Sequence, residues 1–407
     1  MGRPLRILYV AGPGDVLGTY RHWKEGVDDP SQVSVTYSGQ FYDVCRELCA
    51  NAYVLASCPT PGFLRDGSFT IRHRSIPFED GPGSLYHVGQ IWSGLRLFAS
   101  ALVFRADVAV VVNGSAHWFA LTLLPLFGIR VVPSLHCVLW PMGRPPTGVL
   151  RLAHKLDARF FARSAEAILS ASGDITRQVE TMTHGRSRPV VEFLPTYRAG
   201  SFDTCDPPTG RPFRVFFAGR IERNKGVFDL LAIAKQFAAA GRSDIEFDVC
   251  GSGSALDELR RAADEAGLAK HFRCHGYCSR AFMRQTYAES HAVIVPTTSD
   301  FIEGFNQVVA EGVLSGRPVI TSRVCPALEY VRDAVIEVGV DDVQGYGDAI
   351  LRLSDDAEFY LAKCRGCSLS QAQFYDVKRG WAAALKKVLS RIATATGANV
   401  SCTKRFR

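Results

Sequence analysis

Short apolar, β-branched runs alternate along this chain with longer stretches in which apolar residues recur every three or four positions. The runs predict strands at 5–11, 33–37, 53–57, 108–112, 130–135, 167–170 and 190–193, then at 215–218, 245–250, 272–275, 292–295 and 318–321. Several are continuously apolar rather than alternating, as strands covered on both faces are, which points to parallel sheets. Strands separated by helical patterns predict an α/β architecture with right-handed crossovers. The stretch 374–392 reads as a helix, with Trp381, Leu385, Val388 and Leu389 on its apolar face. The stretch 118–129 is broken by Pro125 and reads as a buried helix. No apolar run reaches the roughly 18–20 residues of a membrane span.

One segment breaks the rhythm. From 197 to 212 the chain is rich in Pro and Gly, which forbid a regular element and mark a linker. The expected organisation is therefore a first domain at 1–196, the linker 197–212, a second domain at 213–373, and a terminal helix with a basic tail at 374–407. A length of 407 residues suits two cores better than one. The composition, 47% hydrophobic and 21% charged, is that of an ordinary globular protein.

The net charge of +7 favours anionic ligands or surfaces without choosing among them. The only dense basic run is Lys404-Arg405-Phe406-Arg407, so no nucleic-acid footprint is expected. The segment 91–105 is apolar but carries Arg96 and Arg105, a composition fit for peripheral contact with a membrane surface. The 12 cysteines and the lack of a leader pattern suggest free thiols and a cytoplasmic location. The close pairs Cys274/Cys278 and Cys364/Cys367 fall short of a zinc site, which needs four ligands, and no metal is expected.

Candidate chemistry concentrates in the second domain. The strand 215–218 runs into Gly219-Arg220-Ile221-Glu222-Arg223-Asn224-Lys225-Gly226. A cationic loop at the carboxyl end of a parallel strand is where open α/β sheets bind ligands. Gly219 allows close backbone approach, and Arg220 and Lys225 suit a diphosphate. Gly251, in Cys250-Gly251-Ser252-Gly253, is a further candidate wall of the site. After the strand 292–295 come Glu303-Gly304-Phe305-Asn306-Gln307-Val308, and then a helix expected from about 305 to 314. Its unpaired N–H groups and positive end favour phosphate. Glu303 precedes this helix and Glu311 lies two turns along it.

These residues resemble those of the retaining glycosyltransferases of GT-B fold, specifically glycosyltransferase family 4. The Gly-Arg…Lys-Gly loop is matched by Gly219-Arg220 and Lys225-Gly226, and the Glu-x7-Glu motif by Glu303 and Glu311. The run Ser315-Gly316-Arg317-Pro318-Val319-Ile320 matches as well. The resemblance implies two Rossmann-like domains whose parallel sheets face each other across a cleft. It implies that Arg220 and Lys225 neutralise the diphosphate of a nucleoside diphosphate sugar, that Glu303 contacts the donor sugar and that Glu311 binds ribose. Gly304, Phe305, Asn306, Gln307 and Val308 would border the donor. Asn306 stands where many members have Gly. The loop after the first strand, 11–20, resembles the family's glycine-rich loop loosely, with Gly14 its candidate for approaching the diphosphate. His136, at the end of the strand 130–135, matches a His that contacts donor sugar and acceptor. Asn113, Ser115 and His117 are weaker acceptor candidates. The terminal helix resembles one that crosses back to the first domain.

The implied activity is retaining sugar transfer to an acceptor hydroxyl, without a cofactor, on a saccharide or lipid-linked saccharide. No Asp-x-Asp occurs in the chain, and two cations can stand in for a metal's charge. A nucleotide-sugar epimerase of the same architecture, or a non-catalytic sugar-nucleotide-binding protein, are the rival readings.

Overall fold

The computed structural model describes residues 3–30, 32–76, 83–200, 202 and 206–398. The tail 404–407 lies outside these residues. Contacts divide the chain into two units, one of 1–139, 146–196 and 377–407, the other of 140–145 and 197–376. Against the expected boundaries, 140–145 groups with the second unit, and the return to the first begins at Val377.

The first unit is built on strands β1 (Arg6–Pro13), β2 (Asn51–Ser57), β3 (Phe63–Asp66), β4 (Phe69–His73), β5 (Val108–Val112), β6 (Arg130–Leu135), β7 (Ile168–Ser170) and β8 (Val190–Glu192). They form one sheet in the order β3-β4-β2-β1-β5-β6-β7-β8. Every pairing is parallel except β3 with β4. Val108, Val110, Val131 and Val132 are fully buried, which explains the unbroken apolar runs. The final helix, Trp381–Thr396, belongs to this unit, and Trp381, Leu385, Val388, Leu389 and Ile392 lie in its core.

The second unit has β9 (Phe213–Ala218), β10 (Ile245–Cys250), β11 (Phe272–Gly276), β12 (Ala292–Val295), β13 (Val319–Ser322) and β14 (Val335–Val338). These form an all-parallel sheet in the order β11-β10-β9-β12-β13-β14. The chain steps outward from β9 to β11, then returns to the other side of β9 with β12. Such a reversal opens a crevice at the strands' carboxyl ends. The first sheet reverses in the same manner, between β1 and β5. Two parallel-sheet Rossmann-like domains of this kind are the GT-B fold class.

Three local expectations are corrected. The stretch 33–37 is not a strand: the Thr36 hydroxyl accepts from Gly39 N at 3.0 Å and starts the helix Tyr37–Glu47, so a cap overrides the alternation. The stretch 118–129 is not one buried helix but two 3₁₀ turns, Trp118–Leu121 and Leu124–Phe127, with Pro125 opening the second. Its Leu126 is 79% exposed. Cys49 is disulfide-bonded, a departure from the free thiols expected, while Cys274, Cys278, Cys364 and Cys367 are free.

Candidate active site

The reversal between β9 and β12 gathers the second domain's candidate residues. Lys225 closes the loop after β9 and Glu303 the loop after β12, and Lys225 Nζ donates to Glu303 Oε2 at 2.6 Å. Both side chains are nearly buried. The same oxygen accepts from Thr297 Oγ1 at 3.0 Å and Asn306 Nδ2 at 3.1 Å, and Oε1 accepts from Gly304 N at 3.0 Å. Four donors thus hold one carboxylate. Such a carboxylate is well placed to orient a ligand hydroxyl and poorly placed to attack carbon.

Phe301 ties the cations together. The Lys225 ammonium sits 3.9 Å from its ring centroid, and the Arg220 guanidinium 5.4 Å from the same ring. Arg220 is exposed beside it. Two positive charges are therefore carried within one aromatic contact of each other, at the sheet's ligand-binding edge.

The helix beyond is Gln307–Leu314, two residues shorter at its start than expected, and it carries no side-chain cap. Asn306 precedes it at φ +61°. This is the left-handed region that Gly enters freely and Asn tolerates better than most residues, which accounts for Asn at a position where Gly is common. Its amide is spent on Glu303 rather than on the helix end.

Other candidates are placed differently. Glu311 does not join Glu303. It is buried, accepts from Tyr287 Oη at 2.8 Å, and burial pushes its carboxyl up to about 7. Phe305 is only 3% exposed and packs on Tyr330 and Phe374, so its side chain is core rather than donor wall. Gly251 has a structural reason to lack a side chain: a Cβ there would sit 1.7 Å from the carbonyl oxygen of Gly219, at φ +145°. Gly219, at the carboxyl end of β9, thus touches Gly251 through its backbone. Val308 lies in the first turn of the helix after Gln307.

In the first domain, His136 follows β6. Burial holds its imidazole down at about 3, so the ring is neutral at physiological pH. Its Nε2 lies 2.9 Å from Ser134 Oγ, which accepts from the Trp381 indole at 2.8 Å. An indole only donates. Ser134 satisfies its own hydroxyl hydrogen by giving it to His136 Nε2. That assignment puts the ring proton on Nδ1, a buried atom without a partner. Asn113 accepts from His136 N at 2.8 Å and so positions this loop rather than facing outward. His117 lies 3.0 Å from His87, and burial holds it down at about 4. Ser115 lines a separate cavity with Arg74 and Arg96. Gly14 sits at φ +142°, its N–H given to Ser57 O at 2.8 Å.

Sequence reasoning missed Thr297, Phe301, Tyr287 and Ser134 as supports. It also passed over what Arg317 does. Fully buried, its guanidinium donates to the carbonyls of Asp206, Tyr287 and Ala288, holding the end of the helix Arg280–Glu289 that presents Tyr287 to Glu311.

With this geometry in hand, residues 207–363 match the family described as Glycosyl transferases group 1. Over this stretch of the second unit the chain is similar to the group 1 glycosyl transferases. It is 27% identical over 257 residues to D-inositol 3-phosphate glycosyltransferase 1 of Catenulispora acidiphila, covering 60% of this chain and 58% of that protein. It is 27% identical over 304 residues to 2-deoxystreptamine N-acetyl-D-glucosaminyltransferase of Streptomyces fradiae, covering 67% of this chain and 68% of that one. The chain thus spans about three fifths to two thirds of these relatives' lengths. Its fold is similar to that of HepE from Anabaena in complex with UDP, with a TM-score of 0.64 and 14% identity over 96% of this chain and 100% of that one. It is also similar to sucrose-phosphate synthase from Thermosynechococcus elongatus, with a TM-score of 0.67 and 16% identity over the same shares. The family lends nothing to the epimerase reading.

Proposed function

We propose that this protein transfers a sugar from a nucleoside diphosphate sugar to an acceptor hydroxyl, with retention at the anomeric carbon. The observation that carries the reading is the Lys225–Glu303 pair, joined through Phe301 to Arg220 where the second sheet reverses. Negative charge grows on the leaving diphosphate as the glycosidic bond breaks. Fixed cations aimed at that charge lower the barrier without reorganising. Arg220 and Lys225 take this role, aided by the positive end of the helix that starts at Gln307. Glu303, held by its four donors, orients the donor sugar. Glu311 receives the ribose hydroxyls. His136, as a neutral Nδ1 donor, meets a sugar oxygen.

A Glu303 whose Oε2 already holds three donors is a poor nucleophile, which favours a same-face reaction in which the leaving phosphate takes the acceptor's proton. Two protein cations stand in for a metal, so turnover should survive a chelator. HepE was crystallised with UDP-glucose, which makes UDP-sugars the first donors to test. The acceptor is proposed to be a saccharide or a lipid-linked saccharide. The helix Gly83–Phe104 exposes Val88, Ile91, Trp92 and Leu95, which supports peripheral contact with a membrane. No helix among the described residues is long and apolar enough to cross one.

The test is to incubate the protein with nucleoside diphosphate sugars and an acceptor panel, with and without EDTA, and read nucleoside diphosphate release and product anomeric couplings by NMR. Retained configuration in chelator supports the reading. Sugar-nucleotide isomerisation without an acceptor, or turnover that returns only with added metal, contradicts it.

A further inference from the structure

We propose that Cys250 and Cys278 form a reversible disulfide that stiffens the loop carrying Arg220. Both are free thiols, and their Sγ atoms stand 2.8 Å apart. That is only about 0.8 Å beyond the roughly 2.05 Å of a disulfide bond. Spacing along the chain pairs Cys278 with Cys274 instead. Cys274, however, lies on β11 beside Val249, on the face that holds the second unit's core, and burial pushes its thiol up to about 11. Cys250 follows Val249 and so points to the opposite face. Cys278 comes two residues after the end of β11, and a turn at Gly276 (φ +74°) brings its sulfur back to Cys250. None of this chemistry depends on the glycosyl-transfer reading.

The two sulfurs differ in access. Cys278 is half-buried, while Cys250 is only 1% exposed. Burial, and then the neighbouring Cys278, push the Cys250 thiol up, so Cys250 is poorly suited to attack a reagent from solution. Cys278 is the attacking thiol and Cys250 the resolving one. As its thiolate, Cys278 attacks one sulfur of a small disulfide such as glutathione disulfide, and one small thiolate leaves. Cys250 gives its proton to that thiolate and attacks the Cys278 sulfur of the mixed disulfide. The Cys250–Cys278 bond forms, and the second small thiolate leaves and takes up the proton that Cys278 had lost to solvent. Two protein thiols are oxidised, and one small disulfide is reduced to two thiols. An excess of the small thiol runs the same steps backward.

The bond closes next to the cationic loop. Cys250 O accepts from Gly219 N at 3.0 Å, Ser252 O accepts from Ile221 N at 3.0 Å, and Gly251 N donates to Gly276 O at 2.8 Å. These bonds tie three strand ends together, with Arg220 between two of the donors. A covalent link from Cys250 to Cys278 fastens β10 to the turn after β11. It thereby restricts the local opening in which Gly219 and Ile221 lose their acceptors.

The test uses the full chain. Wild type, Cys250→Ala, Cys278→Ser and Cys274→Ser are incubated with glutathione disulfide, alkylated, digested and mapped by mass spectrometry. Wild type and Cys274→Ser should yield peptides joined through Cys250 and Cys278, and dithiothreitol should part them. Cys250→Ala should stop at glutathione on Cys278, and Cys278→Ser should leave Cys250 free. Hydrogen exchange at the Gly219 and Ile221 amides should slow about fivefold or more on oxidation, well within a disulfide's usual worth, and recover on reduction. Exchange at these amides in Cys278→Ser should not respond to the oxidant, which separates this bond from that of Cys49. Thiols that stay free at Cys250 and Cys278, or Cys278 bonded to Cys274, overturn the proposal. So does a bond that forms and leaves exchange at Gly219 and Ile221 unchanged. Slowed exchange in a protein that turns over no nucleoside diphosphate sugar in either redox state sinks the glycosyl-transfer reading alone.

Discussion

Glu311 offers a test in which the structure sets both sign and size. Its carboxyl is raised from 4.5 to about 7, chiefly by burial, against the opposing hydrogen bonds of the Tyr287 and Tyr197 hydroxyls. Each pKa step of one is worth 1.36 kcal/mol, so the rise amounts to about 3 kcal/mol between the two protonation states. The group binds its proton more tightly in the folded protein. It therefore contributes stability that is fully present below pH 4.5 and lost as pH rises through about 7. Glu311→Gln removes that titration. The new amide has one oxygen where the carboxyl had two, so it cannot accept from Tyr287 and Tyr197 as the carboxylate does, costing about 1–2 kcal/mol. The variant should thus be less stable than wild type at pH 5 and at least equal to it at pH 8. The reporter must be local, because two domains need not unfold together. Hydrogen exchange at the amides of β12 and β13, followed at pH 5, 6.5 and 8, isolates the second domain. Asp157, raised to about 7 by burial, titrates in the same window but belongs to the first, and Asp157→Asn controls for it. An unchanged pH slope in Glu311→Gln would refute the burial argument.

Lys225→Ala and Arg220→Ala should each lower turnover about 100-fold, as loss of a transition-state charge partner does; a steady-state assay on folded variants checks this. Lys225→Ala should also destabilise the second domain more than Arg220→Ala, since it strips a buried carboxylate of its cation while Arg220 is exposed; urea unfolding followed by exchange in β9 reads the difference. Gly251→Ala should abolish folding of the second domain or cost several kcal/mol, because a Cβ cannot stand 1.7 Å from a backbone oxygen; expression yield and circular dichroism decide. Trp381→Phe removes the indole donor to Ser134, should cost about 1 kcal/mol, and should let the His136 proton redistribute between its ring nitrogens; nitrogen-15 NMR of the imidazole sees the tautomer.

How much of this was readable in the chain depended on the range of the interaction. Largely buried strands such as β5 and β9 announce themselves, because burial on both faces leaves mostly apolar residues. The hairpin of β3 and β4 was missed. Its Asp66-Gly67 turn was a usable signal, but Phe63 is 65% exposed and the short strands alternate weakly. Lys225 and Glu303 stand 78 residues apart, and their approach follows from the order of strands rather than from local chemistry. Trp381 and Ser134, 247 residues apart, meet only because the final helix packs on the first sheet. Such a pair leaves no pattern along the sequence. Phe305 failed for the opposite reason. It sits inside the motif, yet its side chain is needed by the core.

The same distinction separates the glycines. Gly219 was read as a place where backbone meets ligand, Gly251 as a wall of the site and Gly304 as a border of the donor. For Gly251 the nearer cause is packing, since the loop after β10 lies directly under the loop after β9. That packing still bears on chemistry. Gly219 N donates to Cys250 O at 3.0 Å and Ile221 N to Ser252 O at 3.0 Å, so the loop carrying Arg220 is tied to its neighbour on both sides of the arginine. A cation on a restrained loop loses less entropy when it meets a phosphate than one on a free loop. The exposed Arg220 can therefore act as fixed machinery despite its solvent-facing side chain. By this argument a substitution that loosens the loop, such as Gly253→Ala against the Ile221 carbonyl, should impair turnover even where the domain still folds.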